Sequence, residues 1–193
     1  MALETAKAVA RRMHDARFSN RYYVGEGIDI GSGSDSLAHY GSLFGGCWSV
    51  RSWDKKDGDA ALMEGVADNT YNFVNSSHCL EHLEDPDVAL YNWIRITKSG
   101  GHLIIVVPDW QLYEKGQWPS EANSDHKHRF TIGWPHDRPG LISLAELLHN
   151  RTDVDVLKIE LLDQCFFYDQ PPWPDQSAIP CTEPAIEIIL RKP

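Results

Sequence analysis

Apolar and polar positions alternate in distinct blocks along the chain. Residues 2–18 carry apolar side chains at helical spacing (Leu3, Ala6, Val9, Ala10, Met13) among charged ones, which predicts a helix lying on a core. Residues 22–30 (YYVGEGIDI) read as a strand that ends at Gly31-Ser32-Gly33, with a helix able to open at Asp35-Ser36-Leu37-Ala38. A second strand is predicted at 47–53, ending before Asp54, and a short third one at 72–76 (NFVNS). Pro86 opens a helix to residue 97 with Val88, Leu90, Tyr91 and Ile94 on one face, and Ser99-Gly100-Gly101 reads as its stop. The run 102–107 (HLIIVV) is almost continuously apolar, as expected of a strand buried on both faces.

This alternation implies right-handed crossovers and a largely parallel sheet covered on both sides. From about residue 109 to 142 the periodicity fades into Trp, Pro, His and charge, so the segment reads as a functional insertion or lid. A short helix at 143–150 and two last strands at 154–162 and 186–191 follow, with a Pro-rich excursion at 171–184 between them.

The 193 residues fit one domain spanning 1–193, large enough to bury a core without staples. A net charge of −10 argues against a general binder of nucleic-acid backbone, whose affinity rests on Lys and Arg. No stretch approaches the roughly 18 apolar residues of a membrane span, and the amphipathic N-terminus does not read as a signal peptide. Cys47, Cys79, Cys165 and Cys181 are widely spaced and form no C-x-x-C, as expected of reduced thiols in the cytoplasm. Nothing in the sequence opposes a homo-oligomer.

The sharpest local feature is GIDIGSGSDS at 27–36, a strand running into Gly31-x-Gly33, where glycine lets the backbone approach a ligand closely. A dinucleotide fingerprint needs a third glycine where Ser36 stands, so the pyrophosphate half of that pattern is broken, although Asp54 lies at the right distance for a ribose. A glycine turn that merely tightens a strand–helix junction explains the same letters. No phosphate-binding G-x-x-x-x-G-K-[ST] is present.

Four segments in order, GIDIGSG with Asp54, Gly58-Asp59-Ala60, NFVNSSHCLEHLEDP at 72–86 and KSGGHLIIVVPD at 98–109, resemble the class I S-adenosylmethionine-dependent methyltransferases. The terminal EPAIEIILRKP resembles that family's last, antiparallel strand. The resemblance implies a three-layer α/β, Rossmann-like fold with a seven-stranded, mostly parallel sheet. It places Asp29, Gly31, Ser32 and Gly33 at the methionine end of the cofactor and Asp54 at the ribose hydroxyls. Asp59 and Ala60 fall beside the adenine, and Ser76, Ser77 and His78 near the transferred methyl. Two positions depart from the pattern: Asp35 replaces a third glycine, and Asn72 replaces the Asp common at the start of the fourth strand. The acid-only turn suits a sulfonium cation, which carries no phosphate.

His78-Cys-Leu-Glu81-His82 also spells H-x-x-E-H, an inverted zinc-protease pattern. Here His78 directly follows a strand and Asp85-Pro86 follows His82, so the pair falls at a turn rather than inside a long helix, and no metal is assigned. In the insertion, His126 and His128 are candidates for a general base, because a histidine titrates near neutral pH; the alternative is a solvated polar loop. Trp110, Tyr113, Trp118 and Trp134 either stack on a flat acceptor or sugar ring or form the insertion's own core.

The expectation is methyl transfer from S-adenosylmethionine to an O or N of a small polar acceptor, with a sugar or sugar nucleotide as the first candidate. A nicotinamide-dependent oxidoreductase on the same fold and a catalytically inactive, methyltransferase-like binding protein are the competing readings.

Overall fold

The computed structural model describes residues 3–121, 123–133, 140–168 and 176–193. Trp134 and the Pro-rich stretch at 169–175 lie outside them. The chain runs α1 (Glu4–Arg12), β1 (Gly25–Ile30), β2 (Cys47–Trp53), β3 (Tyr71–Ser77), α2 (Pro86–Ile96), β4 (Thr97–Pro108), β5 (Arg129–Thr131), β6 (Leu141–Ser143), α3 (Leu144–His149), β7 (Asp155–Leu162) and β8 (Ala185–Arg191).

The main sheet is six-stranded in the order β2-β1-β3-β4-β8-β7. β2, β1, β3 and β4 are mutually parallel, and β8 runs antiparallel between β4 and β7. This is the Rossmann-like α/β layering expected from the pattern, with one strand fewer than seven. The resemblance counts β3 as its fourth strand, so the missing one falls in residues 54–70, which are rich in Asp, Gly and Lys and fold as turns instead. The helix expected from Asp35 is replaced by two single 3-10 turns, Leu37–His39 and Gly41–Leu43, because Gly41, Gly45 and Gly46 leave no uninterrupted helical run before β2. Gly100 does not end a helix before a strand; β4 begins at Thr97 and passes through the glycines with a shift of register against β3.

Strand periodicity divides the core. Leu103, Ile105 and Val107 of β4 and Ile186, Ile188 and Leu190 of β8 pack with Leu90, Trp93 and Ile94 of α2. Ile104 and Ile189 point to the opposite face, against Val9 of α1 and a nest of Phe18, Tyr22, Tyr23, Phe44 and Phe73. Pro86 at the first turn and Asp85, whose carboxylate accepts from the Asp87 and Val88 amides, start α2 where the sequence places it.

On the α1 face a polar chain crosses the interior. Glu187 of β8 accepts from Arg12 Nε (2.8 Å) and Nη2 (2.6 Å). Arg12 Nη1 donates to Tyr23 Oη (2.6 Å), Tyr23 donates to Asn75 Oδ1 (2.7 Å), and Asn75 Nδ2 donates to Asp29 Oδ1 (2.6 Å). Asp29 Oδ2 in turn accepts from the Leu37 amide (2.8 Å) and Ser36 Oγ (3.1 Å). All of these residues except the Leu37 amide's carrier are polar groups held in the interior, so each link satisfies a group that would be costly to bury alone.

Candidate active site

The cleft lies where α/β sheets bind ligands, beyond the carboxyl ends of the parallel strands. β1 delivers Gly31, β2 delivers Asp54, and β3 delivers His78. These residues line a cavity of about 620 Å³ together with Lys55, Gly58, Asp59, Ala60, Cys79, His82, Leu83, Asp125 and Lys127.

Gly31 adopts φ +74°, and a Cβ there would come within 2.5 Å of Cys79 Cβ and Sγ. The turn after β1 therefore packs directly on the turn after β3, and only glycine leaves the floor of the cleft open at that point. The Gly31 and Ser32 amides both donate to the Trp53 carbonyl, which locks the first loop to the end of β2 beside Asp54. His78 has φ +52°, an uncommon conformation for a non-glycine residue, and its amide donates to the Val106 carbonyl. That backbone turn aims the imidazole into the cleft instead of along the strand.

Of the residues singled out from the sequence, Gly31, Asp54, Asp59, Ala60 and His78 line the cleft. Asp59 also caps its own turn, Oδ1 accepting from the Ala61 and Leu62 amides. Asp29 lies underneath, fully buried; burial pushes its carboxyl above the usual range, against the hydrogen bonds from Asn75, Leu37 and Ser36. It shapes the glycine loop from below. Ser32 is buried, Gly33 is exposed, and Ser76 Oγ donates to the Ile30 carbonyl. Ser77 Oγ is buried with no hydrogen-bond partner among the described residues.

The two departures from the family pattern have structural explanations. Asp35 Oδ2 accepts from the Ala6 amide in the first turn of α1, and Oδ1 accepts from Tyr40 Oη, so this acid anchors a helix N-terminus. Asn72 sits at the opposite end of β3 from the cleft, where Oδ1 accepts from the Glu26 amide and Lys98 Nζ.

The insertion closes over the 78–84 turn. The Lys127 and His128 amides donate to the Glu81 carbonyl, and β5 inserts Phe130 into the core. His128 Nε2 is hydrogen-bonded to the Leu83 carbonyl (2.9 Å), so this ring fastens the insertion to the turn. His126 is buried behind the cleft, its Nδ1 paired with Glu114 Oε1 at 2.5 Å and its ring stacked on Tyr113. Trp110 and Trp118 face the Arg129 guanidinium, at 5.4 and 5.3 Å from their ring centres, which gives them a place in the insertion's own packing.

Sequence reasoning did not single out Cys79, Glu81, His82 or Glu114 as site residues. Glu81 is fully buried, and its Oε1 lies 3.5 Å from His78 Nδ1, 3.9 Å from His82 Nε2 and 3.9 Å from His126 Nε2. Burial opposes a charge on His78, but the nearby carboxylate of Glu81, with Glu4 and Glu183 beyond, raises its pKa overall. Burial drives the Cys79 thiol up to about 12, which leaves it unreactive. Only the H-x-x-E-H spacing signalled this cluster, because its fourth member comes from the insertion more than 40 residues away.

Residues 4–144 match a family model described as "Methyltransferase domain". The chain belongs to the methyltransferase-domain family. It is a methyltransferase by family, and S-adenosylmethionine is the cofactor. Solved structures share its fold. A protein of Listeria monocytogenes assigned as an S-adenosylmethionine-dependent methyltransferase superposes with a TM-score of 0.59 at 16% identity, covering 96% of this chain and 98% of that one. One of Bacillus halodurans C-125, also assigned as a methyltransferase, gives 0.56 at 17% identity over 79% and 68% of the two chains. A chain from the complex of the Haloferax volcanii Trm112 methyltransferase activator with its methyltransferase gives 0.61 at 13% identity over 99% and 97%. A comparison with curated protein sequences gives no match. No helix among the described residues is long and apolar enough to cross a membrane.

Proposed function

We propose that this protein transfers a methyl group to an oxygen or nitrogen of a small polar acceptor, of which a sugar or sugar nucleotide is the first candidate. The observation that carries this reading is the two-ended cleft. One end offers Asp54, Asp59 and Ala60 beside the glycine turn, and the other offers His78 and His82 beneath the insertion. A cavity of this size suits a nucleoside-sized ligand with a small partner.

The fit to the cofactor rests on the floor of the cleft. A side chain at Gly31 would collide with Cys79, so the glycine keeps open the surface on which the methionine end would lie. Asp54 is the proposed holder of the ribose diol, since a carboxylate is an acceptor-only group that matches two hydroxyl donors. When bound, S-adenosylmethionine supplies an electrophilic methyl on a sulfonium. Transfer would leave a neutral thioether on the cofactor side and release the acceptor's proton, so the acceptor would have to lie in line with that methyl, on the His78 side of the cleft. The chain's contribution is to hold both groups in line and to exclude water. The insertion does the second job through its clasp on Glu81, Leu83 and Glu84. His78 in the cleft wall and His126 behind it are the proposed acceptor-side residues, whereas His128 holds the insertion in place. The four unpaired cysteines accord with a reducing, cytoplasmic location.

Calorimetry with S-adenosylhomocysteine tests the reading. The wild-type chain should bind it, and Asp54→Ala should weaken binding about 10- to 100-fold, the loss of charge-assisted hydrogen bonds of roughly 1.5–3 kcal/mol. Equal affinity in the variant would remove Asp54 from the ribose, and binding of NADH alone would favour an oxidoreductase.

A further inference from the structure

Behind the cleft, two buried carboxylates, Glu81 and Glu114, have only histidines as ion-pair neighbours among the described residues. Glu81 is fully buried, and neither carboxylate oxygen has a hydrogen-bond partner among the described residues. Its ion-pair neighbours among the described residues are three histidines, with no Lys or Arg. Glu114 is also buried, and its Oε2 is unpartnered as well. Carboxylates held this way are costly unless a cation meets them.

The histidines are oriented as metal ligands usually are. His126 presents Nδ1 to Glu114, and His82 presents Nδ1 to the Asp125 carbonyl and carboxylate, each at 3.1 Å. The Nε2 atoms of both rings are thereby left facing Glu81 Oε1, 3.9 Å from each. A carboxylate or carbonyl on the outer nitrogen of a ligating histidine is the common way of fixing its tautomer and direction. The three inner atoms lie within 4.8 Å of one another. Tetrahedral bonds of about 2.0–2.2 Å put ligand atoms roughly 3.3–3.6 Å apart, so the two 3.9 Å pairs must close by about half an ångström and the third pair by at most ~1.3 Å to complete the site.

We propose that Glu81, His82 and His126 bind a divalent transition-metal ion, Zn2+ being the best match to a two-His, one-carboxylate set. Glu114 and Asp125 are positioning residues that orient the two imidazoles. Three protein ligands leave a coordination position free, and His82 and Asp125 already line the cleft, so that position opens toward the acceptor end. There the ion would orient an acceptor oxygen. This role rests on the methyl-transfer reading above; the binding site itself does not.

The test uses the whole chain, stripped with chelator and titrated with Zn2+ by calorimetry and with Co2+ by visible absorption. Wild type should take up one equivalent, with a Co2+ d–d spectrum free of thiolate charge transfer. Glu81→Gln keeps the shape and removes the charge, and should weaken Zn2+ binding at least 100-fold. Glu114→Gln should weaken it about 10- to 100-fold, as loss of an orienting partner does. S-adenosylhomocysteine binding and circular dichroism on the same samples report folding; if Glu81→Gln does not fold, Glu114→Gln decides. Absence of saturable binding, equal affinity in the folded variants, or a Co2+–thiolate band would overturn the proposal. Zn2+ binding without S-adenosylhomocysteine binding would sink the cofactor assignment and leave the metal site standing.

Discussion

Replacing Glu187 by Gln removes one charge from the centre of the polar chain on the α1 face while keeping shape and an acceptor oxygen. The carboxylate accepts from Arg12 at 2.8 and 2.6 Å, from Arg11 at 3.2 and 2.9 Å, and from Lys158 at 2.9 Å. Arg11 has a second partner in Glu183, and Lys158 one in Glu160, but Glu187 is the only carboxylate that Arg12 contacts among the described residues. Arg12 is 1% exposed and Glu187 0%, so the variant strands a guanidinium in the interior with neutral partners only. Breaking a buried pair in this way costs about 3–5 kcal/mol. A domain of this length loses about 2–4 °C of melting temperature per kcal/mol, which makes the expected drop roughly 6–20 °C. Against a typical total stability of about 5–15 kcal/mol, this is a large fraction. Urea unfolding of wild type and variant measures the loss, with Asp15→Asn as the control. That substitution breaks an Arg17–Asp15 contact of similar length, 2.7 Å, on an Arg that is 55% exposed, and should cost no more than about 1 kcal/mol. The pH dependence gives a second readout. Burial alone would raise the Glu187 carboxyl, but Arg12, Arg11 and Lys158 hold it well below the usual carboxylate range. Its contribution is therefore complete above the unfolded value near 4.5 and is lost only as pH falls further through the depressed folded value. A loss below 1 kcal/mol for Glu187→Gln would refute the claim that this network ties α1 to the sheet.

Gly31→Ala should lower stability by about 2–4 kcal/mol, combining the cost of a left-handed backbone with the overlap on Cys79, and a melting temperature unchanged within error would show that the two turns are not in fixed contact. His102 is held down to about 4 by burial, helped by Arg191 and Arg21. The unfolded chain therefore takes up that proton first, so stability falls as pH drops from about 6.5 toward 4. His102→Gln should flatten this part of the melting-temperature profile, and an unchanged slope there would assign the acid sensitivity to other groups.

Features that depend on neighbours along the chain could be read from the residues alone. The apolar run of β4 and the Pro86 start of α2 were legible because burial on two faces and helix initiation leave periodic or positional marks. The glycine turn and Asp54 were marked by their own spacing and the strand-end residues of β3 only by the family resemblance; the fold brings Gly31, Asp54 and His78 to one cleft. The competing helix at Asp35 failed for a local reason too, since glycines at 41, 45 and 46 interrupt it. What the tertiary structure alone decided is where long-range partners converge. Asp29 is a carboxylate of the first motif, but only the fold shows that it holds the glycine loop through Asn75 rather than facing the cleft. His126 and His128 are two residues apart and chemically alike. One is turned inward beside Glu114 and Glu81, and the other is spent on a backbone carbonyl; a regular strand would put both on one side, but His126 closes the turn from Asn123 while His128 lies just before β5. Nor did the spacing of H-x-x-E-H reveal whether a third ligand existed: that depended on the insertion folding back to bring His126 within 3.9 Å of Glu81.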